Sequence, residues 1–459
     1  MAQNPASPFR VELGATLRLA APLALANLLQ MAIYATDVVF IARLGTEALA
    51  AASLSASLFG QMVWTFSGLT GAVAPLIAAE LGRARHAVRE VRRSVRMALW
   101  LSVLCGLLGM AVSMFGEEIM LAAGQDAGVA ARAGSFLALL AWSMIPQIAC
   151  NVLRTFVAAL GRPVFAMGII AMAVVVNALG NYVLVFGHFG APAMGLEGSA
   201  LATVITSLMT LAAYLGVIYY DRRLRRYRIL GRWWRTEWSR MREIMRIGLP
   251  IALIVLAEGG LFNAATFLMG LIGPAQLAGH ALAFQVAALA FQVPFGVGQA
   301  ATIRVGYHYG AGNVAAIGRA GWAALLVGIA FSLVAAATML TFPRVILSAY
   351  VAVDAPDNAA MVGFALQFIL VAAAFHLFDS VQTVAGGVLR GLQDTRMPMI
   401  LALLGYWLIG GVAAVALGFA TPLAGLGVWI GLAVGLIVVS GLLLWRWHRR
   451  EALGLVSYR

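Results

Sequence analysis

Charged side chains are scarce in this sequence, and lysine is absent altogether. Only 11% of the 459 residues are charged and 62% are hydrophobic, which gives more apolar surface than a soluble fold can bury. The net charge of +13 comes from 31 arginines against 18 acidic residues. That balance could suggest a nucleic-acid partner, but the arginines lie in short segments between apolar runs, as in the positive-inside rule. The composition therefore predicts a polytopic membrane protein that binds no nucleic acid.

Reactive and metal-binding side chains are also few. Cys105 and Cys150 both lie in apolar runs, where we expect small hydrophobic side chains rather than a disulfide or a metal ligand. The six histidines are scattered, and neither H-E-x-x-H nor G-x-S-x-G occurs, so we expect no enzyme. The nucleotide-binding motif G-x-x-x-x-G-K-[ST] is missing too, so a transporter with this sequence would draw its energy from an ion gradient.

Apolar runs of about 20 residues or more, bounded by Arg, Gly, Pro or acidic residues, predict twelve membrane-spanning helices. They lie near residues 17–42, 48–76, 95–116, 134–160, 164–187, 195–220, 247–272, 276–305, 318–342, 361–389, 397–418 and 424–446. Because the number of spans is even, both ends of the chain are expected on the same side of the membrane.

The second half of the chain repeats the first. A shift of 228 positions, without a gap, matches Arg18 with Arg246, Pro22 with Pro250, Gly45 with Gly273, Gly68 with Gly296 and Gly82 with Gly310. Six spans return the chain to its starting side, so the repeats are parallel and related by an axis along the membrane normal. We expect an all-α integral membrane fold with six-helix lobes at 1–220 and 247–459, joined by a basic linker at 221–246.

The distribution of arginine predicts the orientation. Segment 83–96 holds six arginines and segment 222–246 holds ten, and both fall on one side together with the tail after Trp445. The other side carries only Arg43, Arg132 and Arg344. Both termini and the linker are therefore expected to be cytoplasmic, in a bacterial cytoplasmic (inner) membrane.

The linker is also rich in tryptophan, so we expect it to lie as an amphipathic segment at the lipid headgroups rather than to bind RNA. Its tryptophans are Trp233, Trp234 and Trp238.

One face of the first predicted helix is polar. Its members, spaced by three, four and three residues, are Asn27, Gln30, Tyr34 and Asp37. Asn27 and Gln30 alone could form a structural hydrogen-bond seam between helices. A carboxylate inside a membrane must be neutralised or paired, so Asp37 indicates a functional site. Asn177 and Asn181, one turn apart on the fifth helix, lie at a plausible depth to meet it.

Two further carboxylates are predicted to lie deep in the second half. Glu258 falls about eleven residues into the seventh span, near the middle of a ~30 Å hydrocarbon core, and Asp379 lies well inside the tenth. Arg390 is about 16 Å along the helix from Asp379, too far for a direct pair, so neither acid has an evident basic partner. Two carboxylates in one low-dielectric site cannot both stay ionised cheaply, and such a pair would bind a proton or Na⁺. Gln285 could add an amide oxygen, whereas His376 is expected to pack or hydrogen-bond.

Methionine and aromatic side chains on these helices could line a path for a large solute. At helical spacing such residues more often pack or contact lipid. The candidates are Met31, Tyr34, Phe59, Met62, Trp64, Phe66, Phe262, Phe284, Phe291 and Phe295.

Three stretches together resemble the multidrug and toxic compound extrusion (MATE) family, and its NorM-like branch in particular. They are RLAAPLALANLLQMAIYATDVVFIARLG, which carries Pro22 and Asp37, RIGLPIALIVLAEG, which carries Glu258, and FHLFDSVQTVAGGVLRGLQDTRMP, which carries Asp379. The resemblance covers essentially the whole chain. It implies two six-helix lobes around a V-shaped cavity and the export of cationic amphipathic drugs in exchange for Na⁺ or H⁺.

The resemblance also implies roles for individual residues. Glu258 and Asp379, with Gln285 nearby, would bind the cation in the second lobe, as metal ligands if the ion is Na⁺. Asp37, with Asn177 and Asn181, would form the first-lobe site. The protein would be a monomer with no cofactor besides the coupling ion, and its partners would be small cationic drugs or dyes and membrane lipids.

Two other functions can be weighed against drug efflux. A flippase for a lipid-linked saccharide shares the two-lobe plan, but we expect such a protein to place Arg or Lys in its cavity for a pyrophosphate, whereas the deep charges here are acidic. A membrane-embedded enzyme would need a nucleophile with a nearby base or a metal cluster, and the sequence shows neither. The sequence therefore favours an ion-coupled exporter, although it leaves Na⁺ and H⁺ as alternatives.

Overall fold

The computed structural model describes residues 7–83 and 87–456, so the chain ends and part of the arginine-rich segment 83–96 lie outside the described residues. Within these ranges the chain forms helices, turns and loops without a β-strand. Twelve helices are long and apolar enough to cross a membrane, which confirms the predicted fold class. They are α1 (Pro8–Ala42), α2 (Thr46–Arg83), α3 (Ala87–Met114), α4 (Ala127–Ala159), α5 (Pro163–Phe186), α6 (Leu196–Tyr220), α7 (Trp238–Ile272), α8 (Pro274–Gly310), α9 (Val314–Thr341), α10 (Pro356–Gly391), α11 (Arg396–Phe419) and α12 (Gly425–His448).

Several helices are longer than the apolar runs that predict them. Helix α1 begins at Pro8 rather than near residue 17, and α7 begins at Trp238 rather than near residue 247. The length of an apolar run reflects the thickness of the hydrocarbon layer of the membrane. Helical hydrogen bonding continues past the run as long as the polar side chains beyond it find partners. The helices are also not uniform, since α11 contains a π-helical segment at Leu404–Gly411.

Packing divides the chain into two units whose borders differ from those of the sequence repeats. One unit contains Met1–Ala24 and Leu253–Arg459, and the other contains Leu25–Ala252. The borders fall inside α1 and α7, each two residues after a proline within the helix, Pro22 and Pro250. Helices α1 and α7 therefore each begin in one unit and end in the other. We call the unit with residues 25–252 the first unit and the remainder the second unit.

An ion-pair cluster holds the beginning of α1 within the second unit. Glu12 is buried. Arg304 on α8 donates to both of its carboxylate oxygens, from Nε to Oε1 at 2.7 Å and from Nη2 to Oε2 at 2.8 Å. His308, one turn further along α8, places its Nε2 3.1 Å from Glu12 Oε2. Because a bidentate contact fixes both distance and direction, this cluster orients the N-terminal part of α1 against α8.

A second cluster does the same for the beginning of α7 within the first unit. Arg240 pairs with Glu80 on α2, with 3.5 Å between Nη2 and Oε1, and with Glu90 on α3. The 228-residue shift relates Glu12 to Arg240 and Glu80 to His308. The two halves therefore keep a polar contact at matching positions, but the acid stands on the first helix of one half (Glu12) and on the second helix of the other (Glu80).

Glycine allows α12 to lie in backbone contact with α11. A Cβ atom at Gly431 would stand 2.2 Å from the backbone nitrogen of Ala414 and 2.3 Å from its Cα. A Cβ at Gly441, further along the same helix, would meet nothing within 4 Å. Close approach of small residues is a principal source of helix association in membranes, so Gly431 is needed where Gly441 is not.

We expect Gly431→Ala to destabilise the protein and Gly441→Ala to leave its stability nearly unchanged. The added methyl at Gly431 would force the two backbones apart, a change that typically costs ~1–3 kcal/mol. The measurement is the folded fraction that survives heating in detergent, followed by size-exclusion chromatography. Equal heat resistance of the two variants would contradict this account of the contact.

The linker between the two sequence halves packs against the beginning of α3. Arg92 Nε donates to the carbonyl oxygen of Tyr227 at 2.7 Å, and Trp100 Nε1 donates to that of Trp233 at 3.0 Å. The Trp100 and Trp233 rings stack with their centroids 5.4 Å apart. Residues 238–246 of the linker already belong to α7, and before them, apart from one helical turn, Arg222–Arg225, the segment consists mainly of turns. It is thus attached to the first unit by specific contacts.

Candidate functional site

The first candidate site centres on Asp37 in α1. Asn177 and Asn181 of α5 each donate from Nδ2 to Asp37 Oδ1, at 3.0 and 2.7 Å. Thr203 of α6 donates from its hydroxyl to Asp37 Oδ2 at 3.3 Å. Both asparagines are fully buried. The structure therefore brings the three sequence-predicted residues together and adds Thr203, which the sequence analysis missed.

The groups around Asp37 stabilise a carboxylate without neutralising it. All three hydrogen-bond donors are uncharged, and the described chain offers Asp37 no ion-pair partner. The Oδ1 atom of Asn181 is buried and accepts no hydrogen bond within the described ranges. A buried acceptor without a donor is unusual. An unused oxygen next to a carboxylate suits a proton on that carboxylate or a small hard cation.

The polar face of α1 serves two different environments. Asn27 Oδ1 accepts a hydrogen bond from Arg154 Nη1 at 3.1 Å, and Asn151 Oδ1 accepts one from Arg154 Nη2 at the same distance. Asn27 is ten residues, or ~15 Å of helix, from Asp37. Tyr34 lies close enough to Asp37 to interact with its charge, and Gln30 hydrogen-bonds Tyr34. The polar face that the sequence predicts on α1 thus has an arginine at one end and a carboxylate at the other.

The second candidate site brings together Glu258 in α7 and Asp379 in α10. Asp379 is buried and interacts electrostatically with Glu258. Gln382, also on α10, donates from Nε2 to Asp379 Oδ1 at 3.4 Å, and its Oε1 accepts a hydrogen bond from the Tyr406 hydroxyl at 2.7 Å. Tyr406 lies in the π-helical segment of α11. The two acids thus lie within electrostatic range of each other, and a short chain of neutral polar groups supports Asp379.

Glu258 forms no direct ion pair within the described residues, but one arginine lies within electrostatic range of it. Arg390 interacts electrostatically with Glu258. Spacing along α10 separates Arg390 from Asp379, but it sets no limit on the distance from Arg390 to a residue of another helix. When both carboxylates are ionised, this group of three charged residues carries a net charge of −1.

Gln285 and His376 do not join the second site. Gln285 is exposed and makes no hydrogen bond within the described residues. His376 is buried, with its ring 6.2 Å from that of Phe331, so it packs as expected. The described ranges contain no group of three or more His, Cys, Asp or Glu side chains that could hold a metal ion. A cation at the second site would therefore depend on two carboxylates and neutral oxygens.

The residues proposed to line a solute path differ in accessibility. Phe59 is only 4% exposed and belongs to the hydrophobic core of the first unit, so in this structure a solute cannot reach it. Tyr34 and Trp64 are exposed. In the second unit, Phe262 lies 5.3 Å from Phe284 between ring centroids. The other partly buried candidates are Met31, Met62, Phe66, Phe291 and Phe295.

Solved structures with the same fold are membrane transporters. A MOP superfamily transporter from Pyrococcus furiosus matches with a TM-score of 0.86 and 19% identity, over 99% of this chain and 100% of that chain. A eukaryotic MATE transporter matches with a TM-score of 0.84 and 20% identity, over 98% of this chain and 100% of that chain. At this level of identity the likeness concerns the fold. Together with its twelve apolar helices, it defines a multi-pass α-helical membrane protein.

Sequence relatives identify the family. The family profile described as MatE matches residues 22–183 and 250–416, once in each half. The probable multidrug resistance protein NorM of Mesorhizobium japonicum is 45% identical, over 98% of this chain and 96% of that protein. The protein of the same name from Brucella suis is 42% identical, over 96% of this chain and 94% of that protein. The chain belongs to the MATE family.

Proposed function

We propose that this protein is a multidrug efflux antiporter that exports cationic amphipathic compounds in exchange for Na⁺ or H⁺. The observation that carries the proposal is that Glu258 and Asp379, on two membrane-spanning helices, lie within electrostatic range of each other. Ionisable groups at such positions are costly, and they commonly mark ion pathways. The multidrug part rests on relatives at 42–45% identity that are named as probable multidrug resistance proteins.

Coupling would arise from competition between ion and drug. With both carboxylates ionised, the second site is negative and favours a cationic drug. A bound proton or Na⁺ cancels that charge and favours the state that releases drug. Linkage then requires the drug to weaken ion binding by the same factor by which the ion weakens drug binding.

The Asp37 site suits the same kind of ion. Its carboxylate has neutral partners only, and the unused Oδ1 of Asn181 supplies a further oxygen. The coupling ion would be cargo in both sites, and the proposal includes no resident cofactor. We propose no distinct task for Gln285, whose side chain makes no hydrogen bond to either acid.

The charge of the two sites supports cationic substrates. The Asp37 site is anionic, and the site of Glu258, Asp379 and Arg390 has a net charge of −1 when both acids are ionised. The guanidinium of Arg154 lies near Asn27, along α1 from Asp37, and moderates this field without reversing it. Negative sites of this kind attract positive solutes and repel anions. We propose that the protein acts as a monomer, in contact with membrane lipids and without a nucleic-acid partner.

The bacterial relatives support the bacterial cytoplasmic (inner) membrane as the location, and the arginine distribution supports cytoplasmic termini. In everted vesicles the cytoplasmic face points outward, so drug added outside should accumulate inside. The test of function is uptake of a fluorescent cationic dye driven separately by a Na⁺ gradient and by a pH gradient. Uptake without either gradient, or translocation of a lipid-linked saccharide instead of dye, would contradict the proposal.

We expect a cationic amphipathic dye to be exported at least about tenfold faster than an anionic dye of matched size and hydrophobicity, in line with the effect of charged clefts on local solute concentration. The measurement compares ion-driven uptake of the two dyes into the same everted vesicles. Vesicles that contain the Asp37→Asn variant serve as the control for leakage. Equal or faster transport of the anionic dye would contradict the charge argument.

A further inference from the structure

The linker exposes an unusual number of arginines. Between Asp221 and Trp238, seven arginine side chains are exposed, and none of them forms an ion pair within the described residues. They are Arg222, Arg223, Arg225, Arg226, Arg228, Arg232 and Arg235. The acids of residues 221–237 pair with arginines outside this group, Asp221 with Arg162 and Glu237 with Arg93 and Arg96. The surface therefore carries a concentrated positive charge that the protein itself does not compensate.

Large aromatic rings stand among these arginines. Trp234 is 80% exposed and Trp238 is 69% exposed. Two tyrosines at the end of α6 extend the group, with Tyr219 65% and Tyr220 80% exposed. A basic segment that only needs hydration gains nothing from four exposed aromatic rings. Tryptophan and tyrosine are instead favoured at the headgroup level of a bilayer.

The backbone presents these side chains in a fixed arrangement. Arg228 and Arg232 have φ angles of 44° and 56°, in the left-handed region that side-chain-bearing residues seldom adopt. The chain on either side is anchored, because Tyr227 and Trp233 accept hydrogen bonds from Arg92 and Trp100 of α3. An anchored loop loses little further conformational entropy when a ligand binds.

We propose that residues 219–238, which we call the linker surface, bind the headgroups of anionic phospholipids. The segment joins two membrane-spanning helices, α6 and α7, so it must lie at the membrane boundary. The exposed guanidinium groups provide the donor geometry that suits lipid phosphate. The exposed rings would enter the headgroup layer, which favours lipid over a soluble polyanion such as RNA. This inference is independent of what the protein transports.

The test counts lipids retained by the full-length protein. Protein in detergent is incubated with equal amounts of phosphatidylglycerol and phosphatidylcholine, repurified, and its bound lipids are quantified by mass spectrometry. We expect phosphatidylglycerol to be enriched in the wild type. The combined variant Arg222→Gln, Arg225→Gln and Arg232→Gln should lower that enrichment at least about fivefold, because even one arginine near an anionic surface changes binding by about this factor. An ionic strength of about 0.5 M should have a similar effect, since it reduces the screening length to about 4 Å.

A second triple variant provides the matched control. Arg43→Gln, Arg132→Gln and Arg344→Gln remove three exposed arginines that the sequence assigns to the opposite side, and this variant should keep the enrichment. Comparable melting of both variants in detergent establishes that the fold is intact. Unchanged phosphatidylglycerol binding in the linker variant, or an equal loss in the control, would overturn the proposal. Tight binding of a labelled RNA with no lipid preference would overturn it as well.

Discussion

Removing both Glu258 and Asp379 should impair ion-driven drug transport little more than removing either one. Together with Arg390, the two acids carry a net charge of −1. Either Glu258→Gln or Asp379→Asn brings that charge to zero, so each single change removes the charge that would bind a cation. Coupling energies between ligands commonly correspond to ~5- to 150-fold effects, and we expect each single variant to lose transport within this range. Residues that act as one unit show non-additive losses of this kind.

The measurement is dye uptake into everted vesicles under a Na⁺ or pH gradient, for the two single variants and the double variant at matched expression. Glu451→Gln changes an exposed acid near the end of the chain and serves as the control, with transport equal to the wild type. Drug affinity should also fall as Na⁺ or H⁺ rises in the wild type, and should not respond in the variants. Losses that multiply in the double variant would show that Glu258 and Asp379 belong to independent sites.

Asp37→Asn should leave the protein folded and inserted but largely abolish drug resistance. The new side chain keeps an oxygen that can accept from Asn177 and Asn181, and its NH₂ group, at the position of Oδ2, can donate to the Thr203 hydroxyl, which lies 3.3 Å from that atom. Thr203 can retain its second hydrogen bond, to the carbonyl oxygen of Ser199 at 3.2 Å. The hydrogen-bond pattern therefore survives while the charge that could bind a cation is lost.

Drug resistance of cells with equal amounts of wild-type and variant protein in the membrane checks this expectation. Thr203→Val is the informative companion, because it removes one hydrogen bond to Asp37 but keeps the carboxylate. We expect that variant to retain most of the resistance. Wild-type resistance in well-expressed Asp37→Asn cells would reduce Asp37 to a structural hydrogen-bonding residue.

The residues around Asp37 could be predicted because each leaves a local trace in the sequence. Asp37 is a charge within an apolar run, and Asn177 and Asn181 are amides one turn apart in another. Helical periodicity then places each of them on a face of a known helix. Thr203 leaves a weaker trace, since threonine is common in membrane helices as a donor to its own backbone. The bond from the Thr203 hydroxyl to Asp37 depends on how α6 packs.

The second site was harder to predict because its contacts connect distant helices. Arg390 could be measured against Asp379 on the same helix, but its interaction with Glu258 depends on the packing of α7 against α10. Tyr406 lies in an otherwise apolar helix, and no sequence pattern predicts the π-helical segment that contains it. The linker illustrates the same limit. Its basic and aromatic composition was evident, whereas its attachment to α3 depends on Trp100 and Arg92, more than a hundred positions earlier.

The opposite placement of the acids in the two ion-pair clusters bears on how a duplicated chain assembles correctly. Two similar halves offer two similar places for the first helix of each half, and a misassembled chain would dock α1 where α7 belongs. In that arrangement Glu12 would face Glu80 and Glu90, and Arg240 would face Arg304. Like charges in partly buried positions repel strongly enough to disfavour such a pairing. The exchanged charges thus distinguish the docking position of α1 from that of α7. They favour one assembly of the repeated halves over the alternative in which the two helices change places.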